Sequence, residues 1–329
     1  MPLIVARDLT KEYRTHKRYE GFSGAIRTLF TTESTVTRAV DGITFNIEHG
    51  ELIGYIGPNG AGKSTTFKIL TGVLAPTSGV VETAGVVPYK HRQKLARRIG
   101  AMFGQRSQLW WDLPLVESLR ILQAIYHVSE QTYQRNLEIF DSVMGLSPLL
   151  LKPVRQLSLG QRMRGELAAT FLHDPDIVFL DEPLLGLDVV SKDQVRRFIT
   201  EINKVRGATI LLASNDMDDV EQTCKRLLII DKGQLLYDGS VADIKKRYAP
   251  YRTLVVHFAA ENVQAEVAGA TVMRREDSRT WFQFNRSTNP QHLIAELGGR
   301  YPIADLAIEE PSLEDVIRGL YQSPEQLKN

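Results

Sequence analysis

Residues 57–64 read Gly-Pro-Asn-Gly-Ala-Gly-Lys-Ser, the pattern G-x-x-x-x-G-K-S, and no other feature constrains the fold of this chain as tightly. Upstream, Glu51-Leu-Ile-Gly-Tyr-Ile56 is a short apolar run of strand type; downstream, Thr65-Thr-Phe-Lys-Ile-Leu70 has helical spacing. A Gly-rich turn can match the pattern by chance, but the strand before it and the helix after it argue against chance. Glycines let the backbone turn so tightly that its N–H groups point inward. Phosphate oxygens then meet a ring of donors at the positive end of a helix dipole. Gly57, Pro58, Asn59, Gly60, Ala61, Gly62, Lys63, Ser64 and Thr65 are therefore expected to cradle a nucleoside triphosphate. Lys63 reaches the β- and γ-phosphates in that reading, and the Ser64 hydroxyl ligates Mg²⁺.

With 329 residues, 43% hydrophobic and 24% charged, the chain is long enough for one large or two ordinary domains around a substantial core. Lys and Arg number 40 against 39 Asp and Glu, so no global field draws the chain to nucleic acid or anionic lipid. The first residues lack a basic segment followed by an apolar core, and no run of about 18 apolar residues occurs. The chain is thus expected neither to cross a bilayer nor to be exported. A single cysteine, Cys224, excludes an internal disulfide, fits a reducing compartment and reads as a small buried side chain.

Along the chain, residues 2–13 and 38–56 read as strands leading into the loop. The insertion between them, 14–38, is rich in base and hydroxyl. Phe22, Ala25, Ile26, Leu29 and Phe30 form an amphipathic helical stripe within it. Two readings stay open: a helix packed on the domain's own surface, or one docking on a membrane partner or the headgroup layer, with Arg14, Lys17, Arg18 and Arg27 as anchors. Residues 91–173 are mostly helical in pattern, with Glu117 to His127 and Tyr133 to Met144 clearest and Gly145 as a stop. Asp176 to Leu180 and Ala208 to Ala213 are continuous apolar runs, as in parallel strands buried on both faces. Arg226 to Asp231 and Gln234 to Asp238 read as a terminal hairpin split by Lys232-Gly233. After Ala249-Pro250 three strands (252–258, 271–274, 280–285) and two helices (290–297, 312–321) suggest a separate α+β domain. His257 and His292 are isolated there, and no Cys/His metal spacing exists.

Ile177-Val-Phe-Leu-Asp181-Glu182 places two carboxylates at the carboxyl end of a central strand, where doubly wound sheets bind ligands. Asp181 is expected to hold Mg²⁺ through a coordinated water, and Glu182 to orient and deprotonate the attacking water. The pair alone is common in surface turns; with Lys63 and Ser64 upstream it points to hydrolysis rather than binding alone.

Leu157-Ser158-Leu159-Gly160-Gln161-Arg162 resembles the L-S-G-G-Q signature of ATP-binding cassette proteins, and the rest of that family's set follows in order across residues 2 to about 245. Gln105 is similar to the glutamine that joins the catalytic core to the helical lobe and meets the metal. Gly186-Leu187-Asp188 resembles the D-loop, Asn215 sits where the switch histidine belongs, and Tyr13 matches the aromatic that stacks on adenine. The resemblance implies an α/β fold of P-loop ABC type. A nucleotide-binding domain with a mixed sheet and an α-helical lobe (about 105–173) spans 1–248, and an accessory domain spans 249–329. It also implies ATP and Mg²⁺ as cofactors and catalytic roles for Glu182, Asn215 and Gln105. Leu159 departs from the first signature glycine at a position where the family varies. Asn215 departs more seriously, since an amide offers a donor without a titrating ring and with shorter reach. ATP is then expected to bind and close a dimer while hydrolysis is slowed; the competing reading has Asp216 or a water serve instead.

In this family ATP is sandwiched between the Lys63 loop of one subunit and the Ser158, Gly160 and Gln161 segment of another. A chain with one set of motifs must therefore pair with itself or with a similar subunit. The resemblance further implies a separately encoded membrane permease, docked at a groove formed by 105–126, at the cytoplasmic face of the inner membrane. No direct contact with cargo is implied. Trp110-Trp111 reads either as core or as part of that groove. The segment Asp181 to Lys192 and the closing Glu310-Pro-Ser-Leu-Glu-Asp-Val-Ile317 resemble bacterial exporter-type cassettes. An importer subunit, or a non-transport cassette ATPase acting on DNA or ribosomes, is the alternative. The basic run Lys90 to Lys94 with Arg97 and Arg98 reads as a solvated helix face, so no nucleic acid partner is expected.

Overall fold

The phosphate loop enters a helix held between two sheets. In the computed structural model, which describes residues 2–16, 34–104 and 107–322, two compact units divide at Asp238/Gly239. In the first, β1 (Ile4–His16) pairs antiparallel with β2 (Ser34–Ile47), in a register from Ile4↔Ile47 to His16↔Ser34. Strand β3 (Leu52–Ile56) leads into the loop and α1 (Lys63–Leu70), and β4 (Ser78–Thr83) returns to β1 to complete a sheet of order β2-β1-β4.

Next come the short α2 (Arg92–Ala96) and β5 (Ile99–Phe103). Helices α3 (Leu115–Tyr126), α4 (Glu130–Met144) and α5 (Leu159–Phe171) form the helical lobe. The rest of the unit is β6 (Ile177–Asp181), α6 (Val189–Arg206), β7 (Thr209–Ser214), α7 (Met217–Thr223), β8 (Arg226–Asp231) and β9 (Gln234–Ser240). These strands build a six-stranded sheet, β5-β6-β7-β3-β8-β9, parallel from β5 to β8. Every residue of β6 and of β7 is buried, which is why their sequences read as unbroken apolar runs.

Helix α1 carries the loop into the core. Phe67 meets Tyr55 of β3 at 5.6 Å and Phe179 of β6 at 5.4 Å between ring centroids, and Tyr55 meets Phe45 of β2 at 6.4 Å. A line of aromatic rings therefore ties both sheets to the helix that begins at Lys63. In the lobe, Phe140 and Phe171 both pack edge-on to Phe198 of α6.

The second unit contains α8 (Val241–Tyr248), β10 (Tyr251–Phe258), β11 (Ala270–Glu276), β12 (Arg279–Asn285), α9 (Pro290–Arg300), β13 (Ile303–Glu309) and α10 (Leu313–Gln322). Its antiparallel sheet has the order β11-β12-β10-β13, and Leu254, Val256, Phe282 and Phe284 pack with Leu293 and Leu297 of α9. Helix α8 packs on α10, so it belongs to this unit and the division falls earlier than residue 248.

The structure adds to the pattern in several places. The ends of the 14–38 segment are strand, with Arg14↔Val36 and Thr15↔Thr35 in register, because β-branched residues there extend the hairpin. The stripe from Phe22 to Phe30 lies outside the described residues. The stretch 91–173 is mostly helical, as its pattern reads, and Ile99–Phe103 within it is a strand paired parallel with β6. Strands β4 and β13 complete their sheets without having been anticipated. Among the described residues, no helix is long and apolar enough to cross a membrane.

Candidate active site

Gly62 is the N-cap of α1 at φ 108°, and a Cβ there would lie 2.2 Å from the Ala39 carbonyl oxygen, so only glycine fits. Its position starts the helix at Lys63, where the unpaired N–H groups of the first turn face outward. Lys63 is buried, and its ammonium donates to the carbonyls of Gly57 at 2.5 Å and Pro58 at 3.3 Å and to Oδ1 of Asn215. Burial lowers the Lys63 pKa, against the opposing pull of Glu182, 4.0 Å away, and of Asp181.

Next along the helix, Ser64 donates its hydroxyl to Oδ2 of Asp181 at 2.7 Å, joining the start of α1 to the end of β6. Asp181 is only 5% exposed. These two oxygens suit a small hard cation that keeps water and phosphate as its other ligands. By donor type, the Ser64 and Asp181 oxygens fit Mg²⁺.

Glu182 follows with φ 56°, a strained conformation for a residue with a side chain. Burial raises its pKa, and the Asn215 backbone N–H, 3.4 Å from Oε2, and Lys63 counter part of that rise. The Asn215 amide bridges the pocket. Its oxygen accepts from Lys63, and its nitrogen donates to Oδ1 of Asn59 at 2.8 Å. A cavity of about 440 Å³ opens over Asn59, Lys63, Ser64, Asp181, Glu182 and Asn215, with Pro58, Gly60, Gly62 and Thr65 on its wall.

Asp216 is committed elsewhere. It caps α7 by accepting from the N–H groups of Asp218 and Asp219, and it takes Lys192 at 2.7 Å. Lys192 also meets Asp219 at 2.8 Å, as does Arg196 at 3.0 Å. This network was not anticipated, although the i, i+4 spacing of Lys192 and Arg196 opposite three aspartates was a readable sign of it.

The structure does not bring every expected residue to Lys63. Ser158 caps α5 and forms a reciprocal capping box with Gln161, with bonds of 3.3 and 3.1 Å, but neither these residues nor Gly160 lines the cavity. Asp188 caps α6, accepting from the Ser191 N–H at 3.0 Å and hydroxyl at 2.7 Å. Tyr13 is exposed on β1 opposite Thr37, in the strand pair whose Ala39 abuts Gly62. Gln105 lies outside the described residues. Trp110 and Trp111 are 39% and 52% exposed, so neither is core. Of the basic run, Lys90, Arg92, Lys94 and Arg97 are exposed, whereas Arg98 bonds Asp176 at 2.6 Å.

Comparison with known proteins bears on this geometry. Residues 40–185 match the ABC transporter family, and residues 239–318 match the C-terminal domain of DrrA1-3-like ATP-binding proteins. The chain is 30% identical over 215 residues to the ABC transporter ATP-binding protein NatA of Bacillus subtilis, covering 65% of this chain and 87% of that one. The chain belongs to the ATP-binding subunits of ABC transporters. This ABC ATPase is also 32% identical over 214 residues to the bacitracin transport ATP-binding protein BcrA of Bacillus licheniformis, covering 65% of this chain and 69% of that protein. A solved ATP-binding subunit of an ABC transporter superposes with a TM-score of 0.62 at 26% identity, over 75% of this chain and 93% of that one. The subunit therefore has the P-loop ABC fold and the ATPase activity of its family.

Proposed function

We propose that two copies of this ATPase, or one copy and a similar subunit, close around ATP and Mg²⁺ to drive a separately encoded membrane permease, in the direction of export. The observation that carries the pairing is the separation within one chain. Lys63, Ser64, Asp181 and Glu182 line one cavity, and Ser158, Gly160 and Gln161 are not among its lining residues, which supports completion of the site by a second chain.

In this reading Tyr13 stacks on the adenine, Asp188 contacts the opposite subunit, and the loop from Gly57 to Thr65 wraps the phosphates. Lys63 leaves its own carbonyl partners for the β- and γ-phosphate oxygens. Ser64 and Asp181 hold the magnesium ion, which when bound offsets the charge of the β- and γ-phosphates. Gln105 belongs to the same reading as a further metal contact and water-positioning group. Glu182 accepts a proton from the water whose oxygen forms the new bond to the γ-phosphorus as the bond to the β,γ-bridging oxygen breaks, leaving ADP and phosphate. Asn215 reaches the γ-phosphate with its amide in place of an imidazole.

The exposed pair Trp110-Trp111 is the docking surface for the permease, and it keeps the subunit peripheral at the cytoplasmic face of the membrane. Support for export comes from the resemblance of the segments Asp181 to Lys192 and Glu310 to Ile317 to bacterial exporter-type cassettes, and the similarity to BcrA, named for bacitracin transport, supports a transport role. Cargo stays with the permease, and nucleic acid has no part in this reading. Light scattering on Glu182→Gln with ATP and Mg²⁺ tests the pairing, because that variant holds ATP uncleaved; a species that remains monomeric at saturating ATP refutes it. Direction is tested by ATP-driven movement of cargo in inverted vesicles carrying the co-expressed permease, where accumulation inside means export and depletion means import.

A further inference from the structure

Helix α5, which Ser158 caps, carries Arg162, Glu166 and Thr170 at i, i+4 and i+8, and therefore along one face. All three hold the same segment. The Arg162 guanidinium lies 5.5 Å from the centre of the Trp111 ring. The Glu166 carboxylate accepts from the Ser107 hydroxyl and, at 3.0 Å, from the Gln108 backbone N–H. The Thr170 hydroxyl accepts from the Gln108 side-chain amide at 2.9 Å. Leu109 and Leu115 pack closely on Gly165 between these contacts. Beyond them, the Trp110 backbone N–H donates to the Ser118 hydroxyl of α3 at 3.1 Å.

Glu166 is 5% exposed, and a carboxylate that deep is tolerated only because its oxygens are bonded. Its partners are not nucleotide-binding groups. They are the residues immediately before two exposed tryptophans, and the helix that carries it starts at the serine expected to meet the second nucleotide. One rigid element thus ends at a subunit contact and grips an aromatic surface along its side.

We propose that Glu166 is a positioning residue that couples the Ser107–Trp111 segment to Ser158. Whatever docks on the tryptophans then biases the placement of Ser158, and closure around ATP alters the surroundings of the tryptophans, as reciprocity of coupling requires. The inference rests on the reading of Ser158 as a contact to ATP across two subunits.

The test uses the tryptophans as reporters. The chain has three, and Trp281→Phe leaves only Trp110 and Trp111. In a Trp281→Phe, Glu182→Gln background, ATP with Mg²⁺ is titrated while pairing is followed by light scattering and tryptophan emission is recorded. Binding of a fluorescent ATP analogue reports separately on the Lys63 site. The parent is expected to change emission as it pairs. Glu166→Gln should retain that response, since its oxygen accepts from Gln108 and its amide donates to the Ser107 hydroxyl. Glu166→Ala should bind the analogue normally, yet pair only at roughly tenfold higher ATP or pair without the emission change. The proposal is overturned if Glu166→Ala keeps both the parent's ATP midpoint and its emission change, or if the parent pairs with no emission change. A parent that binds the analogue and stays monomeric overturns the pairing itself, and this inference with it. Should Glu166→Ala not fold, Ser107→Ala combined with Thr170→Val removes two of the links on the same face and is judged by the same criteria.

Discussion

Asn215 shows how much chemistry one side chain decides. Its amide is oriented at both ends, by Lys63 and by Asn59, and Asp216 is too committed to Lys192 and to the cap of α7 to replace it. Asn215→His should therefore raise steady-state turnover, by roughly tenfold if one additional hydrogen bond of about 1.4 kcal/mol forms only in the transition state. Unchanged turnover would remove Asn215 from the explanation of a slow cycle. The same substitution changes the response to acid. Glu182 works as a base only when deprotonated, and burial raises its pKa, so activity is lost as pH falls through a value above the ordinary carboxylate range. In the parent no imidazole at position 215 titrates, and Glu182 sets the acid limb; Asn215→His should add a second ionisation near about 6.5 to the pH profile of kcat. A parent profile that already shows that second step would contradict the assignment. At this scale the sequence was most legible, because Lys63, Ser64, Asp181 and Glu182 belong to patterns whose spacing is set by the loop and the strand end. Glu166 was not legible, since a glutamate inside a helix ordinarily faces water.

Helix α5 is the element on which pairing depends most in the proposed cycle. Gly160 lies in its first turn, and a Cβ there would fall 2.3 Å from the Ser191 hydroxyl, which is bonded to Asp188. Gly160→Ala must displace that hydroxyl from Asp188, at a cost of about 1 kcal/mol, or roughly fivefold in the pairing equilibrium. ATP affinity at the Lys63 cavity, measured on the monomer, should stay as in the parent. Equal pairing in Gly160→Ala and parent would show that this contact is not felt at the interface. Element boundaries show where pattern reading stops. Ile99–Phe103 is a five-residue strand preceded by a basic helical turn and interrupted by Gly100, too short for alternation to stand out against helical neighbours. Ile303–Glu309 is an edge strand with mostly exposed residues, so burial left little imprint on its sequence. The buried central strands, by contrast, were plain because both of their faces are packed.

Over the whole chain, two separate cores imply two cooperative units. One gathers Tyr55, Phe67 and Phe179 around α1, and the other gathers Leu254, Phe282, Phe284 and Leu297 around α9. The residues that line the nucleotide cavity all lie before Asp238. A ligand stabilises only the unit whose native state binds it. Calorimetry on Glu182→Gln, which prevents turnover, should therefore resolve two transitions, of which ATP with Mg²⁺ raises one and leaves the other in place. At a hundredfold excess over the dissociation constant, binding contributes about 2.7 kcal/mol, an upward shift of roughly 5 to 10 °C for a unit of this size. The unmoved transition should coincide with that of a fragment comprising residues 239–329, because that fragment contains its own sheet, helices and core. A single transition that moves as a whole with ATP would mean that the two units unfold as one, and would make the C-terminal unit part of the nucleotide cycle instead of a module beside it.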